Sequence, residues 1–129
     1  MSDGRFPRKA LLVEDEALVA MIAEDYLGAI GFDPLCVDTA ADALEALALG
    51  GFSLAVIDVG LPDMRGDDLA ARARQLAPGL PIVLASGFDP AELRRRFAGD
   101  GSVIVLGKPY TEHDLRTAIA AAGLVPASL

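Results

Sequence analysis

The feature that most constrains this fold is an alternation between short apolar runs and segments of helical periodicity. Five strand-length apolar runs are each followed by a segment in which apolar residues recur about every 3.6 positions. The predicted strands are Lys9–Val13, Pro34–Val37, Phe52–Asp58, Pro81–Ala85 and Ser102–Leu106; helices are predicted at Ala17–Ile30, from Thr39 to Gly50, at about Asp67–Ala77, from Asp89 through Phe97, and from Thr111 to about Ala122. This order predicts an α/β fold, a parallel sheet with right-handed crossovers and helices on both faces.

Length and charge limit the functions that such a sheet can have. The 129 residues suit one domain, and the formal net charge of −8 argues against nucleic acid or an anionic membrane surface as a partner, because both require a basic patch. The single Cys36 excludes an internal disulfide and a Cys-rich zinc site. No apolar stretch reaches the ~20 residues that span a bilayer, and the polar N-terminus does not resemble a secretory signal. We therefore expect a cytoplasmic protein.

Several residues predict where the helices begin and end. Leu18, Met21, Ile22 and Ile30 carry the periodicity of the first helix, and Gly31 is expected to end it. Thr39 is a predicted N-cap, and Asp89, followed by Pro90 and Glu92, predicts the start of the fourth helix. Thr111 and Asp114 resemble a capping box that lacks its usual Glu.

The residues at the carboxyl ends of the predicted strands form the candidate site, because ligands of open α/β sheets bind there. They are Glu14, Asp15 and Glu16 after the first strand, Asp58 at the end of the third, Ser86 and Gly87 after the fourth, and Lys108 and Pro109 after the fifth. Clustered carboxylates repel one another unless a cation joins them, and Mg²⁺ favours carboxylates together with phosphate oxygens. A hydroxyl and a lysine suit a phosphoryl group, and a carboxylate can act as a nucleophile that forms an acyl phosphate. The pattern predicts a Mg²⁺-dependent aspartyl-phosphate site.

Each of these residues also has an ordinary structural interpretation. Asp15 could cap the first helix, the Lys108–Pro109 pair could be a plain turn, and Ser86 with Gly87 could be a common loop pair. The specific signal is their joint occurrence at four strand ends.

Four segments also carry a family resemblance: Leu11–Glu16, Asp58–Gly66, Leu84–Gly87 and Lys108–Tyr110. In order and spacing they resemble the receiver domain of two-component response regulators. The resemblance covers almost the whole chain. It implies a flavodoxin-like (βα)5 fold with strand order 2-1-3-4-5, one receiver domain over residues 1–129, and a core at about residues 8–123.

The resemblance implies a role for each matched residue. Asp58 matches the phosphoacceptor. Asp15 would bind Mg²⁺ directly, Glu14 directly or through water, and the backbone carbonyl of Gly60 would complete the protein ligands together with Asp58. The remaining matches are Ser86, whose hydroxyl would bond the phosphoryl group, Lys108, which would pair with a phosphoryl oxygen, and Pro109, the family's cis-proline.

Two features of the sequence depart from the common pattern of the family. Val105 stands where the family usually has an aromatic switch residue. Ser86-Gly87-Phe88 resembles a subfamily with a Phe-Ala-Thr-Gly-Tyr type motif, in which that aromatic residue tends to be absent. Because Gly87 frees the backbone beside Ser86, we expect the loop to move in place of a ring.

The resemblance further implies a phosphodonor and a downstream target. A histidine kinase or a histidine phosphotransfer protein would supply the phosphoryl group, and a target would bind the face of helix 4, strand 5 and helix 5. There Arg94–Arg96 is either a solvated helix face or a docking patch for an acidic partner or for a second receiver in a weak homodimer. His113 is expected at the surface, and Cys36 in the core.

The mode of action leaves alternatives open. No output domain fits beside a receiver in 129 residues, so we expect a stand-alone regulator that acts by protein contact or as a phosphorelay intermediate. The ends at Met1 and Leu129 favour this over a receiver excised from a hybrid kinase or a longer regulator. An aspartate-nucleophile phosphohydrolase is disfavoured because Gly60 stands where such enzymes usually place a second Asp. We therefore expect a signalling domain whose only catalysis is its own phosphorylation and dephosphorylation.

Overall fold

The computed structural model describes residues 8–87 and 90–124 and confirms the alternation of strands and helices. The strands are Arg8–Val13 (β1), Phe32–Val37 (β2), Leu54–Asp58 (β3), Ile82–Ser86 (β4) and Val103–Gly107 (β5), and the helices are Ala17–Ile30 (α1), Ala40–Leu49 (α2), Gly66–Leu76 (α3), Ala91–Arg96 (α4) and Glu112–Ala121 (α5). The strands form one parallel sheet in the order β2-β1-β3-β4-β5, the predicted flavodoxin-like order. Among the described helices, none is long and apolar enough to cross a membrane.

Some element boundaries differ from those predicted. Strand β2 begins at Phe32 and includes Pro34, which the sheet tolerates because β2 is an edge strand. Ser86 pairs with Gly107, so both residues still belong to their strands. The residue before α4 is Pro90 and the helix itself begins at Ala91. The predicted cap Asp89 lies outside the described residues.

The core consists of one apolar layer on each face of the sheet. Alternate β1 residues supply both layers: Leu11 and Val13 pack with α2, α3 and α4, whereas Ala10 and Leu12 pack with α1 and α5. Full burial of a Leu or Val side chain stabilises the fold by roughly 1.5–3 kcal/mol. The half-buried Cys36 packs against the α1/α5 layer, and burial raises the pKa of its thiol.

Helix α1 buries a different set of residues from the one that carried its periodicity. Leu18, Met21 and Ile22 are 74%, 59% and 52% exposed, and only Ile30 of the predicted set is buried. The buried residues are Ala20, Ala23, Leu27 and Ile30. Apolar side chains surround most of α1, so their spacing did not indicate which ones contact the sheet. We call Leu18, Met21 and Ile22 the α1 apolar surface.

The helix caps show which polar side chains act locally. Thr39 accepts a hydrogen bond from the Asp42 N–H at 3.1 Å, as predicted. At α5 the capping box is complete: the Thr111 hydroxyl accepts from the Asp114 N–H at 3.1 Å, and the Asp114 carboxylate accepts from the Thr111 N–H at 3.0 Å. Asp114 therefore completes the capping box in place of the usual Glu, because its carboxylate is long enough to reach the Thr111 N–H. Asp15 does not cap α1, whose N-cap is Glu16.

Candidate functional site

Three carboxylates from two separate parts of the chain meet at the carboxyl edge of the sheet. Asp58 is the last residue of β3, and Glu14 and Asp15 directly follow β1. One oxygen from each of the three lies within 4.8 Å of the others, with Glu14 and Asp58 buried and Asp15 exposed. The parallel register of β1 and β3 places these ends side by side, as the sequence predicted.

Lys108 partly neutralises this cluster. Its Nζ donates to Asp58 Oδ1 at 2.8 Å and lies 3.4 Å from Glu14 Oε1. Burial would lower the pKa of Lys108, but the hydrogen bond with Asp58 and the charges of both carboxylates outweigh it, so this pKa is raised. The ammonium group therefore stays charged at neutral pH.

The second oxygen of Asp58 also has a partner. The Gly60 N–H donates to Asp58 Oδ2 at 3.1 Å, so a backbone amide and an ammonium group orient the two oxygens separately. Gly60 and Arg65 also form an isolated antiparallel bridge that closes the loop after β3. The carboxylate is thus held in one orientation at the end of a rigid strand.

The pKa of Glu14 is raised by the surroundings of this carboxyl group in the cluster. Burial and, to a smaller degree, the charge of Asp58 raise its pKa, although the Glu16 N–H donates to its Oε2 at 3.2 Å and opposes the shift. One lysine faces three carboxylates, so the cluster keeps an excess of negative charge. The oxygen donors and this charge fit a small divalent cation such as Mg²⁺.

Ser86 borders the same cavity as Asp58, at the carboxyl edge of the sheet. It is buried at the end of β4, and its carbonyl accepts the Lys108 N–H at 2.8 Å. The cavity measures about 800 Å³, and its other lining residues include Gly60, Lys108, Arg65 and Arg96. The Lys108–Pro109 peptide is cis, as the resemblance implied.

Sequence reasoning did not single out two residues that follow β3, Gly66 at the start of α3 and Asp63 in the loop before it. A Cβ at Gly66 would overlap the Asp58 carbonyl oxygen, and the Gly66 N–H donates to the Val59 carbonyl at 2.8 Å. Asp63 accepts from the Ala40 and Ala41 N–H groups at 2.8 and 3.0 Å, so it caps α2 from a distant loop. Both residues lie in the Asp58–Gly66 segment that carries the family resemblance, but the contacts of Asp63 with α2 are long-range and left no local signal.

A second cavity, of about 430 Å³, adjoins the first. It is mainly apolar and lined by Val19, Ile22, Ala23, Tyr26, Pro109 and Tyr110, with Glu16 and Lys108 bordering both cavities. The Tyr26 and Tyr110 rings lie 6.2 Å apart, and burial raises the pKa of Tyr110 to about 12. Sequence reasoning missed this cavity because its lining comes from α1 and from the loop before α5.

The remaining residues of interest lie away from the carboxylates. His113 is exposed on α5, as expected, and Arg94 and Arg95 are exposed on α4. Val105 is buried in the layer of α2, α3 and α4. Phe88, which carries part of the subfamily resemblance, lies outside the described residues.

A flavodoxin-like parallel sheet carries an acidic cluster, a hydroxyl and a lysine at its carboxyl edge, which is the arrangement that the resemblance to receiver domains implied. The chain belongs to the response regulator receiver domain family, whose model matches residues 10–120. The receiver fold that the resemblance implied is thereby confirmed.

Similar proteins differ widely in length. The chain is 32% identical over 123 residues to the transcriptional regulatory protein PdtaR of Mycobacterium tuberculosis, covering 92% of this chain and 58% of that protein. It is 31% identical to the sensor histidine kinase RcsC of Salmonella typhi, covering 92% of this chain but 13% of the kinase. The response regulator receiver protein CpdR of Brucella abortus is 32% identical, with 84% of this chain and 90% of that protein covered.

Solved structures show the same fold. A response regulator receiver protein from Sinorhizobium medicae is 32% identical with a TM-score of 0.77, over 89% of this chain and 93% of that chain. A CheY-like receiver domain protein from Methanospirillum hungatei is 26% identical with a TM-score of 0.80, over 89% and 92%.

Proposed function

We propose that this protein accepts a phosphoryl group on Asp58 from the phosphohistidine of a histidine kinase or a histidine phosphotransfer protein. The observation that carries the proposal is the arrangement around Asp58. One oxygen is bonded to the Lys108 ammonium and the other to the Gly60 N–H, with Glu14 and Asp15 beside it. The response regulators and the sensor kinase among its relatives support a role in two-component signalling.

In the proposed transfer, an Asp58 carboxylate oxygen forms a bond to phosphorus while the phosphorus–nitrogen bond of the donor breaks. The electron pair of that bond stays on the imidazole of the donor. Lys108 and the Gly60 N–H orient the nucleophile, and after transfer the Lys108 ammonium group can pair with a phosphoryl oxygen. Ser86 borders the same cavity and offers a hydroxyl to the phosphoryl group.

Glu14, Asp15 and Asp58, with the backbone carbonyl of Gly60, are the residues that would hold Mg²⁺. Bound there, Mg²⁺ supplies positive charge that offsets the charge of the phosphoryl group. Without a cation, phosphorylation would add negative charge to a cluster in which Glu14 already has a raised pKa.

The α1 apolar surface supports a docking site for the phosphodonor. It begins one turn after the acidic pair, and Ile22 also lines the apolar cavity beside Lys108. A partner that covers these exposed side chains would gain apolar burial within reach of Asp58. The face of α4, β5 and α5 remains our proposal for the downstream target or for a weak homodimer.

We propose a cytoplasmic, stand-alone mode of action by protein contact or as a relay intermediate. The relative CpdR supports it, since the matched region makes up 90% of that protein. The alternative is a receiver within a longer chain, because the matched region is only 13% of RcsC and 26% of the response regulator FleR of Pseudomonas aeruginosa. Size analysis of the native protein from cells distinguishes the two.

The phosphoacceptor role is tested with Mg²⁺ and acetyl phosphate as the donor, followed by intact-protein mass spectrometry. The wild type should gain the mass of one phosphoryl group, and Asp58→Asn should gain none. Asp63→Asn is a matched control, because Asp63 is also a carboxylate with two hydrogen bonds but lies outside the acidic cluster. Equal masses before and after incubation in wild type and Asp58→Asn would refute the proposal.

A further inference from the structure

An ion pair joins α4 to α3 beside the phosphoacceptor cavity. Arg96, the last residue of α4, donates from Nη1 to Asp67 Oδ2 at 2.6 Å and to Asp68 Oδ1 at 2.9 Å. Helix α4 has only six residues, and Leu93 is the one that it buries. A helix this short depends on tertiary contacts for its stability, and the Arg96 ion pairs are among the contacts that link α4 to the rest of the fold.

Asp67 is an unusual anchor because it is a carboxylate with only 4% of its surface exposed. Its second oxygen accepts from Arg65 Nε at 3.0 Å, so both oxygens are bonded to guanidinium groups. Burial raises the pKa of Asp67, but the hydrogen bonds from Arg65 and Arg96 outweigh it and hold this pKa below its usual value. Removal of Arg96 would leave a buried charge short of one partner.

The same anchor is tied to the phosphoacceptor through the backbone. Gly66, the residue before Asp67, packs directly against the Asp58 carbonyl and donates to the Val59 carbonyl. Arg65, Asp67 and Arg96 also border the cavity that contains Asp58. A phosphoryl group on Asp58 would therefore enter the cavity that the two arginines of Asp67 also border.

We propose that the Asp67–Arg96 ion pair couples the charge in this cavity to the position of α4. This coupling rests on the proposed phosphorylation of Asp58. In the unphosphorylated protein Arg96 fastens α4 to α3. A phosphoryl group in the cavity competes with Asp67 and Asp68 for the Arg96 guanidinium, because phosphate oxygens are strong acceptors for arginine. The pair then loosens, and α4 is released from α3. This route needs no aromatic residue at Val105.

Amide hydrogen exchange of residues 93–97, measured on the full chain with and without Mg²⁺ and beryllofluoride as the phosphoryl mimic, tests the coupling. In the free protein, Arg96→Gln should raise exchange in this segment roughly tenfold, as loss of a charge-assisted bond to a buried group predicts. Arg95→Gln is the control: it removes an equal charge one position away, from a side chain with no ion pair among the described residues. Asp67→Asn should match Arg96→Gln, and the double variant should add little to either.

Beryllofluoride should raise α4 exchange in the wild type and have little further effect in Arg96→Gln. Equal exchange for Arg96→Gln and Arg95→Gln in the free protein would overturn the proposal. So would a wild type that binds beryllofluoride, seen as shifted amide resonances of Asp58 and Ser86, while α4 exchange stays unchanged. If no phosphoryl group reaches Asp58, the proposed function fails, and the coupling fails with it. The free-protein comparison alone would then establish a purely structural clamp.

Discussion

Two cavities lie at the carboxyl edge of the sheet and differ in volume and in the polarity of the residues that line them. One surrounds Asp58 with charged groups and buried backbone donors, and the other, beside α1, is lined mainly by aliphatic and aromatic side chains. Glu16 and Lys108 border both. In the proposed function, the charged cavity would hold the reacting group, and the apolar cavity with the α1 apolar surface would receive the phosphodonor.

The largest effect should follow from breaking the backbone support of the charged cavity. Gly66→Ala places a methyl group against the Asp58 carbonyl and should lower the free energy of unfolding by about 3 kcal/mol. Gly28→Ala is the control, because a Cβ at Gly28 meets no atom within 4 Å and alanine favours a helix. Urea denaturation measures both, and equal stability of the two variants would contradict the packing at Gly66.

The next effect concerns Lys108, which both cavities share. Lys108→Met removes the ammonium group that faces Asp58 and Glu14, so phosphorylation by acetyl phosphate with Mg²⁺ should slow by about 100-fold. Lys9→Met, which removes an exposed lysine from β1, should leave the rate unchanged. An unaltered rate in Lys108→Met would show that the lysine does not act on the phosphoryl group.

A smaller effect should separate the apolar cavity from the charged one. Ile22→Gln should slow transfer from a phosphorylated histidine donor by about tenfold through lost apolar contact, while phosphorylation by acetyl phosphate stays unchanged. Leu49→Gln changes an 88% exposed leucine on α2 and should affect neither reaction. Equal slowing with both donors would instead place Ile22 in the chemistry.

The smallest effect is a pH dependence within the apolar cavity. Tyr110 has a folded-state pKa of about 12, above the ordinary value of 10.0, so the folded state holds this proton more tightly. Tyr110 therefore stabilises the fold fully below about pH 10, and this contribution is lost as the pH rises towards 12. Tyr110→Phe should remove about 1–2 kcal/mol of the fall in stability over that interval, measured by urea denaturation. Identical curves for wild type and Tyr110→Phe would contradict the burial of the Tyr110 hydroxyl.

The sequence predicted the charged cavity far better than the apolar one. Asp58, Ser86 and Lys108 come at the ends of strands, and a parallel sheet brings strand ends together whatever the details of helix packing. The apolar cavity depends on the rotation of α1, and Leu18 and Met21 match a buried face as well as an exposed one. Ala20 and Ala23 are buried because of the way α1 packs on the sheet, and no local sequence pattern predicts that packing.

The Asp67–Arg96 pair shows the same limit. In the sequence, Arg96 belongs to a basic run, and Asp67 marks the approximate start of the third predicted helix. Their contact spans 29 positions and requires the relative placement of α3 and α4. The sequence therefore predicted charged groups on both helices but not that one of them is a buried carboxylate.

The most direct test of the proposed phosphoacceptor locates the phosphoryl group in the chain. The protein is phosphorylated with acetyl phosphate and Mg²⁺, reduced with borohydride, which converts an aspartyl phosphate to homoserine, and mapped by peptide mass spectrometry. We predict homoserine at position 58 and at no other aspartate, with none formed when Mg²⁺ is chelated. A phosphoryl group on His113, homoserine at another aspartate, or an unmodified Asp58 in phosphorylated protein would contradict it.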